Sequence, residues 1–462
     1  MQISIENLGV IKQAELEIGN LTVLCGENNT GKTYATYAYY GFLDFMHNGL
    51  FNISNELIPI DDKIIKSLND DGISSIDLTQ YYNAYEKILT NICVRYSKLL
   101  HNVFVANPKK FENTKFLVSL NPDEINRNVA FKEKIADFIL FEKAENNQEL
   151  TITRLIEKEK FRFPFIQELI AKSIITCVFK NSIPTNYSIA SVERTGATIF
   201  KKELYLNRNR ILEQLAKSPQ KDIDMRSMFS KSYSLYPYPV KDNINFIQEL
   251  ESLQNESTFS KNNPQILENF QKISGGKYLL TKDGDINYLP NKNRQTKLSM
   301  VESSSIARAL VHLNYYLRYN VEAGSVLIVD EPELNLHPAN QRKIARVFAQ
   351  LVNAGVKVFI TTHSDYIVKE FNTLIMLNQD KSHIRDIKNK YGYNETEILS
   401  PENIRVYIAM EDYILPQGNS RKTKKNTLIK AEIDEKYGIH LGSFDEVINE
   451  MNEIQERIIW GE

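Results

Sequence analysis

Gly26-Glu27-Asn28-Asn29-Thr30-Gly31-Lys32-Thr33 constrains this chain more than any other stretch, because it fits the pattern G-x-x-x-x-G-K-S/T. In that pattern the backbone N–H groups of a glycine-bearing loop cradle phosphate. Leu21-Thr22-Val23-Leu24-Cys25 ahead of it reads as a short buried strand. Tyr34 to Tyr40 behind it holds no Gly or Pro and continues as a helix. A strand, a loop and a helix N-terminus in that order form an anion site, since free N–H groups and the helix dipole converge on one spot. Gly26, Asn28, Asn29, Thr30 and Gly31 are read as the cradle, Lys32 as the group reaching the outer phosphates of ATP, and Thr33 as a hydroxyl ligand for Mg²⁺. A chance glycine turn would explain the loop but not its two flanks.

Nearly 300 residues downstream, Ser325-Val326-Leu327-Ile328-Val329 is an apolar run ending in Asp330 and Glu331. Buried parallel strands read as continuous hydrophobic runs, and ligands of such sheets sit at the strands' carboxyl ends. Asp330 is therefore expected to hold Mg²⁺, and Glu331 to polarise the attacking water. Pro332 alone would fit a plain strand exit, but two acids at that exit would not be needed. A third apolar run, Val356 to Thr361, delivers Thr362-His363-Ser364. A histidine there is most often a structural hydrogen-bonder; placed beside the other two motifs, His363 is read as a γ-phosphate sensor.

The order of these motifs resembles the ATP-binding-cassette class of ATPase. Asp330-Glu331-Pro332-Glu333-Leu334-Asn335-Leu336-His337-Pro338 resembles the D-E-P-E-x-x-L-H-P of OLD-like ATPases, related to the SMC, RecF and RecN proteins. The opening Gln2 to Gly9, followed by Ala14 to Ile18, is similar to how those proteins begin. The resemblance covers roughly residues 1–45 and 270–380. It implies an α/β ATPase head with a mixed, largely parallel sheet, an antiparallel β subdomain and a compact helical insertion. It also implies a composite site in which a second chain's signature helix caps the γ-phosphate. The corresponding stretch here, Leu298 to Ser305, departs from L-S-G-G-Q and lacks the glycine. Ser304 and Ser305 are the candidate trans phosphate contacts; plain helix N-caps are the alternative. His337 is a candidate for the dimer interface or nucleotide.

Three parts follow from where the motifs fall: 1–45 as the N-terminal ATPase core, 46–270 as a mostly helical insertion with a strand near 187–193 returning to the core, and 271–462 as the remaining core. Gly275 to Leu289 reads as a hairpin turning at Lys282-Asp283-Gly284. Arg194, beside the returning strand, fits either a nucleotide or partner contact or a surface ion pair. Net charge is −2, so no global basic field points to nucleic acid. The three cysteines make no metal spacing and suit a reducing compartment. No basic leader or membrane-length apolar run is seen, and the expectation is a cytoplasmic protein without membrane attachment.

Basic clusters at Lys109-Lys110, Lys201-Lys202, Arg208 with Arg210, and above all Arg421-Lys422-Thr423-Lys424-Lys425 read as solvated faces, the last also as a candidate DNA or RNA contact. No Asp-x-Asp follows His363, and the upstream Asp222-Ile223-Asp224 and Asp283-Gly284-Asp285 are out of order for a fused Toprim nuclease. The chain is therefore read as a Mg²⁺-dependent ATPase without its own nuclease, forming a head-to-tail homodimer or higher even oligomer. Resemblance to the ATPase subunits of the Septu and PARIS anti-phage systems implies a sensor or scaffold controlling a separately encoded nuclease or toxin. The alternative is a RecF- or SMC-like maintenance ATPase acting directly on DNA.

Overall fold

Alternating burial makes Gln2–Leu8 and Ile11–Glu17 an antiparallel pair, with Ile3, Ile5 and Leu8 turned inward opposite Leu16, Ala14 and Ile11. In the computed structural model, which describes residues 1–157, 165–201, 236–252, 255–281, 284–292, 295–415, 421–440 and 446–460, this pair forms one flank of a nine-stranded mixed sheet. Reading across, the strands are Lys115–Ser119, Gln2–Leu8, Ile11–Glu17, Thr423–Lys430, Ile404–Ile414, Leu21–Gly26, Lys357–Thr362, Val326–Asp330 and Tyr187–Ala190. The last five named run parallel to one another. Glu17 joins the two ends of the chain, taking Arg405 at 2.8 Å and Lys430 at 2.6 Å. Those two cations, Arg405 foremost, hold its carboxyl down at about 2.

The central strands are buried on both faces, as their unbroken apolar sequence predicts. Helices Lys32–Asp44, Tyr85–Phe104 and Ile166–Phe179 belong to the core on one face. Helices Pro264–Ser274, Ser305–Tyr315, Pro338–Asn353 and Asp365–Met376 build the core on the other. Pro338 opens its helix and Gly355 follows its end with φ of 91°, as the sequence suggests. The hairpin forms from Gly276–Leu280 and Ile286–Pro290, with Leu298–Ser299 as a third strand. It packs beneath helix Ser305–Tyr315, where the Tyr278 hydroxyl donates to the Ala307 carbonyl at 2.6 Å.

The middle of the chain is less helical than the sequence reading expects. Ile73–Asp77, Glu149–Arg154, Ile139–Lys143 and Phe131–Ile135 form a separate four-stranded antiparallel sheet, and Lys115–Ser119 extends the main one. These strands bury alternate residues, such as Ile139 and Phe141 against Leu150 and Ile152. At only five or six residues each, their alternation is too short to stand out beside long helices. Arg208, Arg210, Asp222 to Asp224, Lys202 and the Lys282-Asp283 turn lie outside the described residues.

Gly26 ends the loop strand where the backbone comes closest to its neighbour. Its φ is 129°, and a Cβ there would meet the Ala409 carbonyl oxygen at 2.4 Å. Gly26→Ala is expected to lower stability by about 2 kcal/mol, read as an earlier urea midpoint at unchanged slope. An unfolding curve superimposable on the wild type would show that the two strands can separate there without cost.

Candidate nucleotide site

The loop is a cradle closed by its own lysine. Gly31 caps helix Lys32–Asp44 with φ of 103°, and a Cβ on it would meet the Ile11 side chain at 2.5 Å. Asn29 takes the left-handed conformation that asparagine tolerates. Asn28, Asn29 and Thr33 are exposed, while the Thr30 hydroxyl turns back to the Glu27 carbonyl at 2.7 Å. The Lys32 ammonium donates to the carbonyls of Gly26 at 2.9 Å and Glu27 at 2.5 Å. Burial lowers its pKa, opposed in part by Glu331, Asp330 and Glu333. This is a cation held in place by weak, replaceable acceptors.

Strand register brings the carboxylates to the same edge. Thr361 lies opposite Asp330 on one side and Leu24 on the other, and Thr362 lies opposite Cys25. The Thr361 hydroxyl donates to one oxygen of Asp330. The other oxygen, Oδ2, is buried with no hydrogen-bond partner among the described residues. Burial pushes the Asp330 carboxyl up to about 6, with the Thr361 hydrogen bond opposing. An orphaned, fully buried carboxylate oxygen is what a bound divalent cation or its water would satisfy. The donor set of Asp330 and the Thr33 hydroxyl is hard oxygen, which suits Mg²⁺.

Glu331 carries a left-handed backbone, φ 51°, which lets the chain turn sharply after the strand. Its N–H is held by the Thr361 carbonyl at 3.2 Å. His363 Nε2 lies 3.4 Å from Glu331 Oε1, and this contact keeps the Glu331 carboxyl below its ordinary range despite partial burial. Glu333 positions His363 from below. One oxygen accepts the His363 N–H at 2.6 Å and the other the Thr362 hydroxyl at 2.9 Å. Glu333 has no role assigned from its motif, and its only sequence signal is a second acid two residues after Glu331.

Arg194 settles differently from either expectation. It is 1% exposed, and its guanidinium donates to four carbonyls: Ser191 and Asp330 at 2.8 Å, Glu331 at 2.8 Å, and Ala309 at 3.1 Å. It thus ties the carboxylate strand to helix Ser305–Tyr315, and neither solvent nor a partner can reach it. Ser304 caps that helix, accepting from the Ala307 N–H at 3.4 Å, and Ser304 and Ser305 are both exposed. Neither has a hydrogen bond to the phosphate loop among the described residues. His337 is exposed and caps helix Pro338–Asn353 through Nδ1. In the basic cluster, Lys424 pairs with Glu411 at 3.3 Å and Lys425 lies opposite Asp412, so acids offset part of its charge.

A family model described as an AAA ATPase domain matches residues 1–368. Similar solved structures include an SMC head bound to the C-winged helix domain of ScpA, at 10% identity and TM-score 0.35, covering 94% of this chain and 98% of that one. Another is the SMC head domain with an extended coiled coil bound to the C-terminal domain of ScpA derived from Pyrococcus furiosus, at 11% identity and TM-score 0.32, covering 98% of each chain. A third is the SMC head domain from Thermotoga maritima, at 8% identity and TM-score 0.31, covering 94% of this chain and 98% of that one. No curated protein matches the sequence.

Two predictions test this geometry. Arg194→Met removes the donor shared by four buried carbonyls and is expected to cost about 3 kcal/mol of unfolding free energy, measured in urea. A loss under about 1 kcal/mol would show that the carbonyls find other donors. The second concerns Asp330, whose folded pKa is raised above its unfolded value. Such a group favours the folded state below its unfolded pKa, and that contribution is lost as pH rises through about 6. Without metal or nucleotide, Asp330→Asn should therefore unfold later than wild type at pH 8, by about 1–2 kcal/mol. The gap should narrow as pH falls below about 6 and close towards about pH 4. A variant less stable than wild type at pH 8 would contradict the burial argument.

Proposed function

The chain belongs to the AAA ATPase domain family, and we propose that it binds ATP with Mg²⁺ at the edge formed by Lys32, Asp330, Glu331 and His363 and hydrolyses it there. The observation that carries the site is the orphaned Asp330 oxygen, at the carboxyl end of a strand one place removed from the phosphate-loop strand. Lys32 exchanges its two loop carbonyls for the β- and γ-phosphates. The N–H groups of Gly26 to Thr33 surround the phosphates, and Asp330 with Thr33 would hold Mg²⁺. Bound metal supplies charge neutralisation across the phosphates. Glu331, kept ionised by His363, accepts a hydrogen bond from the attacking water and orients it. His363 reports the γ-phosphate through its link to Glu331.

The site is half of a composite one in this reading. One chain brings Lys32, Asp330, Glu331 and His363; the partner copy brings Ser304 and Ser305, whose exposure at a helix N-terminus suits an anion. Two chains facing head to tail then make two equivalent sites by isologous symmetry. In the wider role we propose, ATP-driven closure controls a separately encoded nuclease or toxin of a cytoplasmic anti-phage system. The motif from Asp330 to Pro338 supports that role. The partial pairing of Lys424 and Lys425 with acids weighs against direct action on DNA.

Lys32→Ala should weaken ATP binding at least about tenfold. Glu331→Gln should leave binding within a few fold and lower kcat by about 100- to 1000-fold; wild-type turnover in that variant would remove Glu331 from the mechanism. Native mass measurement of Glu331→Gln should show dimer increase with ATP, and Ser304→Arg should prevent it. A chain that remains monomeric in ATP yet turns over at full rate, with or without Ser304→Arg, would rule out the composite site. The purified chain should leave plasmid and tRNA intact with ATP and Mg²⁺.

A further inference from the structure

A cleft of about 420 Å³ opens at the opposite end of the strand that leads to Arg194. Its walls are the C-terminal end of helix Lys32–Asp44, strand Tyr187–Ala190, helix Tyr238–Glu249 and helix Ser305–Tyr315 with the turn that follows. Its volume falls in the range of small-molecule sites, and its described lining combines carboxylates with neutral polar and aromatic side chains. Asp44, Asp242 and Glu249 face it, and among the described residues no lysine or arginine lines it. Tyr40, Phe246 and Tyr316 supply aromatic surface.

Asp44 already accepts from the Asn48 amide at 2.7 Å and the Tyr187 hydroxyl at 3.1 Å, but two buried polar atoms of the lining have no partner among the described residues. His312 is 2% exposed and packs against Phe246, and its Nδ1 has no hydrogen-bond partner among the described residues. Burial holds the His312 imidazole neutral, down to about 3, with the Arg194 charge adding to the effect. The side-chain oxygen of Asn320 is likewise buried without a partner. Burial, reinforced by Glu249, pushes Asp242 up to about 7. The charged side chains that the described residues bring to the cleft are thus all carboxylates.

The backbone around it is also unusual. Two π-helical turns, Phe45–Gly49 and Tyr316–Asn320, end at this cleft and present His47, Asn48, Tyr316 and Asn320 to it. Such turns are rare and occur frequently at functional sites, because the widened turn redirects side chains that a regular helix would turn elsewhere. Here they direct polar and aromatic groups from two separate helices into one space.

We propose that this cleft binds a small organic cation bearing a guanidinium or alkylammonium group. Asp242 and Asp44 accept its N–H donors, the unpaired His312 nitrogen and Asn320 oxygen take further ones, and the aromatic walls cover its charge. Phosphate-bearing ligands are excluded by the carboxylates. The proposal is independent of the nucleotide site, since its binding residues are not those of the phosphate loop or the carboxylate strand.

The test uses the full chain without nucleotide. Agmatine and spermidine are titrated by calorimetry and by thermal unfolding, with 1,5-pentanediol as the uncharged control. Binding with Kd below about 1 mM and a raised melting temperature are expected for at least one cation and not for the diol. Asp242→Asn should weaken that binding by at least about tenfold, and Asp44→Asn should reproduce the loss if the first variant folds poorly. Asp386→Asn, on an exposed helix, controls for cations condensing on surface acids. No binding by either cation up to 10-fold above that Kd would overturn the proposal. So would equal binding to Asp242→Asn, Asp44→Asn and Asp386→Asn.

Discussion

Thr361 sits between Leu24 and Asp330 in adjacent parallel ladders, and the rest of the site is fixed by that position. Its carbonyl receives the Glu331 N–H, and its hydroxyl donates to Asp330. One residue onward, Thr362 lies opposite Cys25, the last residue before the loop. A slip of one residue in either ladder would turn Asp330 or Thr361 to the opposite face of the sheet. The apolar side chains of Val326 to Val329 and Val358 to Ile360 prevent this, because they are buried on both faces and pack into both cores. Hydrophobic burial thereby sets the register, and the register sets the chemistry.

Within that frame the three acids are given different environments. Asp330 is desolvated and short of one hydrogen bond, and its carboxyl is raised. Glu331 is half-exposed beside His363, and its carboxyl is lowered. Glu333 is raised by burial but spends both oxygens on the backbone and side chain leading to His363. Groups whose environments push their pKa values apart are suited to different roles: Asp330 to meet a metal, Glu331 to stay charged, Glu333 to hold geometry. Arg194 lies within the field of all three yet donates only to carbonyls. Its charge steadies the acids at a distance without neutralising any of them.

The legible parts of the sequence were those where chemistry needs a fixed residue type. Lys32, Asp330, Glu331 and His363 could be singled out because phosphate, metal and water would each demand particular groups at a strand end, and the strand register brings the last three to the edge that bears the loop. The central parallel strands could be read because burial on both faces leaves runs such as Val326 to Val329 and Val358 to Ile360 wholly apolar. Arg194 could not, since its partners are main-chain carbonyls that every sequence possesses. The sheet formed by Ile73–Asp77, Glu149–Arg154, Ile139–Lys143 and Phe131–Ile135 was hidden by the shortness of its strands, five or six residues each, set among helices. Ser304 illustrates a different limit: one hydroxyl at one helix N-terminus serves a cap and an anion with the same geometry, so its sequence is identical in both readings.

The nucleotide site and the acidic cleft are two ends of the same elements. Helix Lys32–Asp44 begins at the phosphate loop and ends with Asp44 in the cleft; strand Tyr187–Ala190 begins in the cleft and leads to Ser191 and Arg194. Helix Ser305–Tyr315 begins at Ser304 and reaches the cleft with His312. Asn243 pins the cleft helix to the strand, donating to the Ile189 carbonyl at 2.6 Å and accepting the Ser191 N–H at 2.9 Å. Rigid connection alone carries no signal; coupling requires an element with two arrangements that each ligand favours differently. The two π-helical turns are the natural place for it, because a π turn and an α turn differ by one residue of register and rotate everything beyond them. A ligand that favours one register at the cleft would move the helix ends that bear on Arg194 and the phosphate loop. By linkage, nucleotide would then alter the cleft's affinity by the same factor.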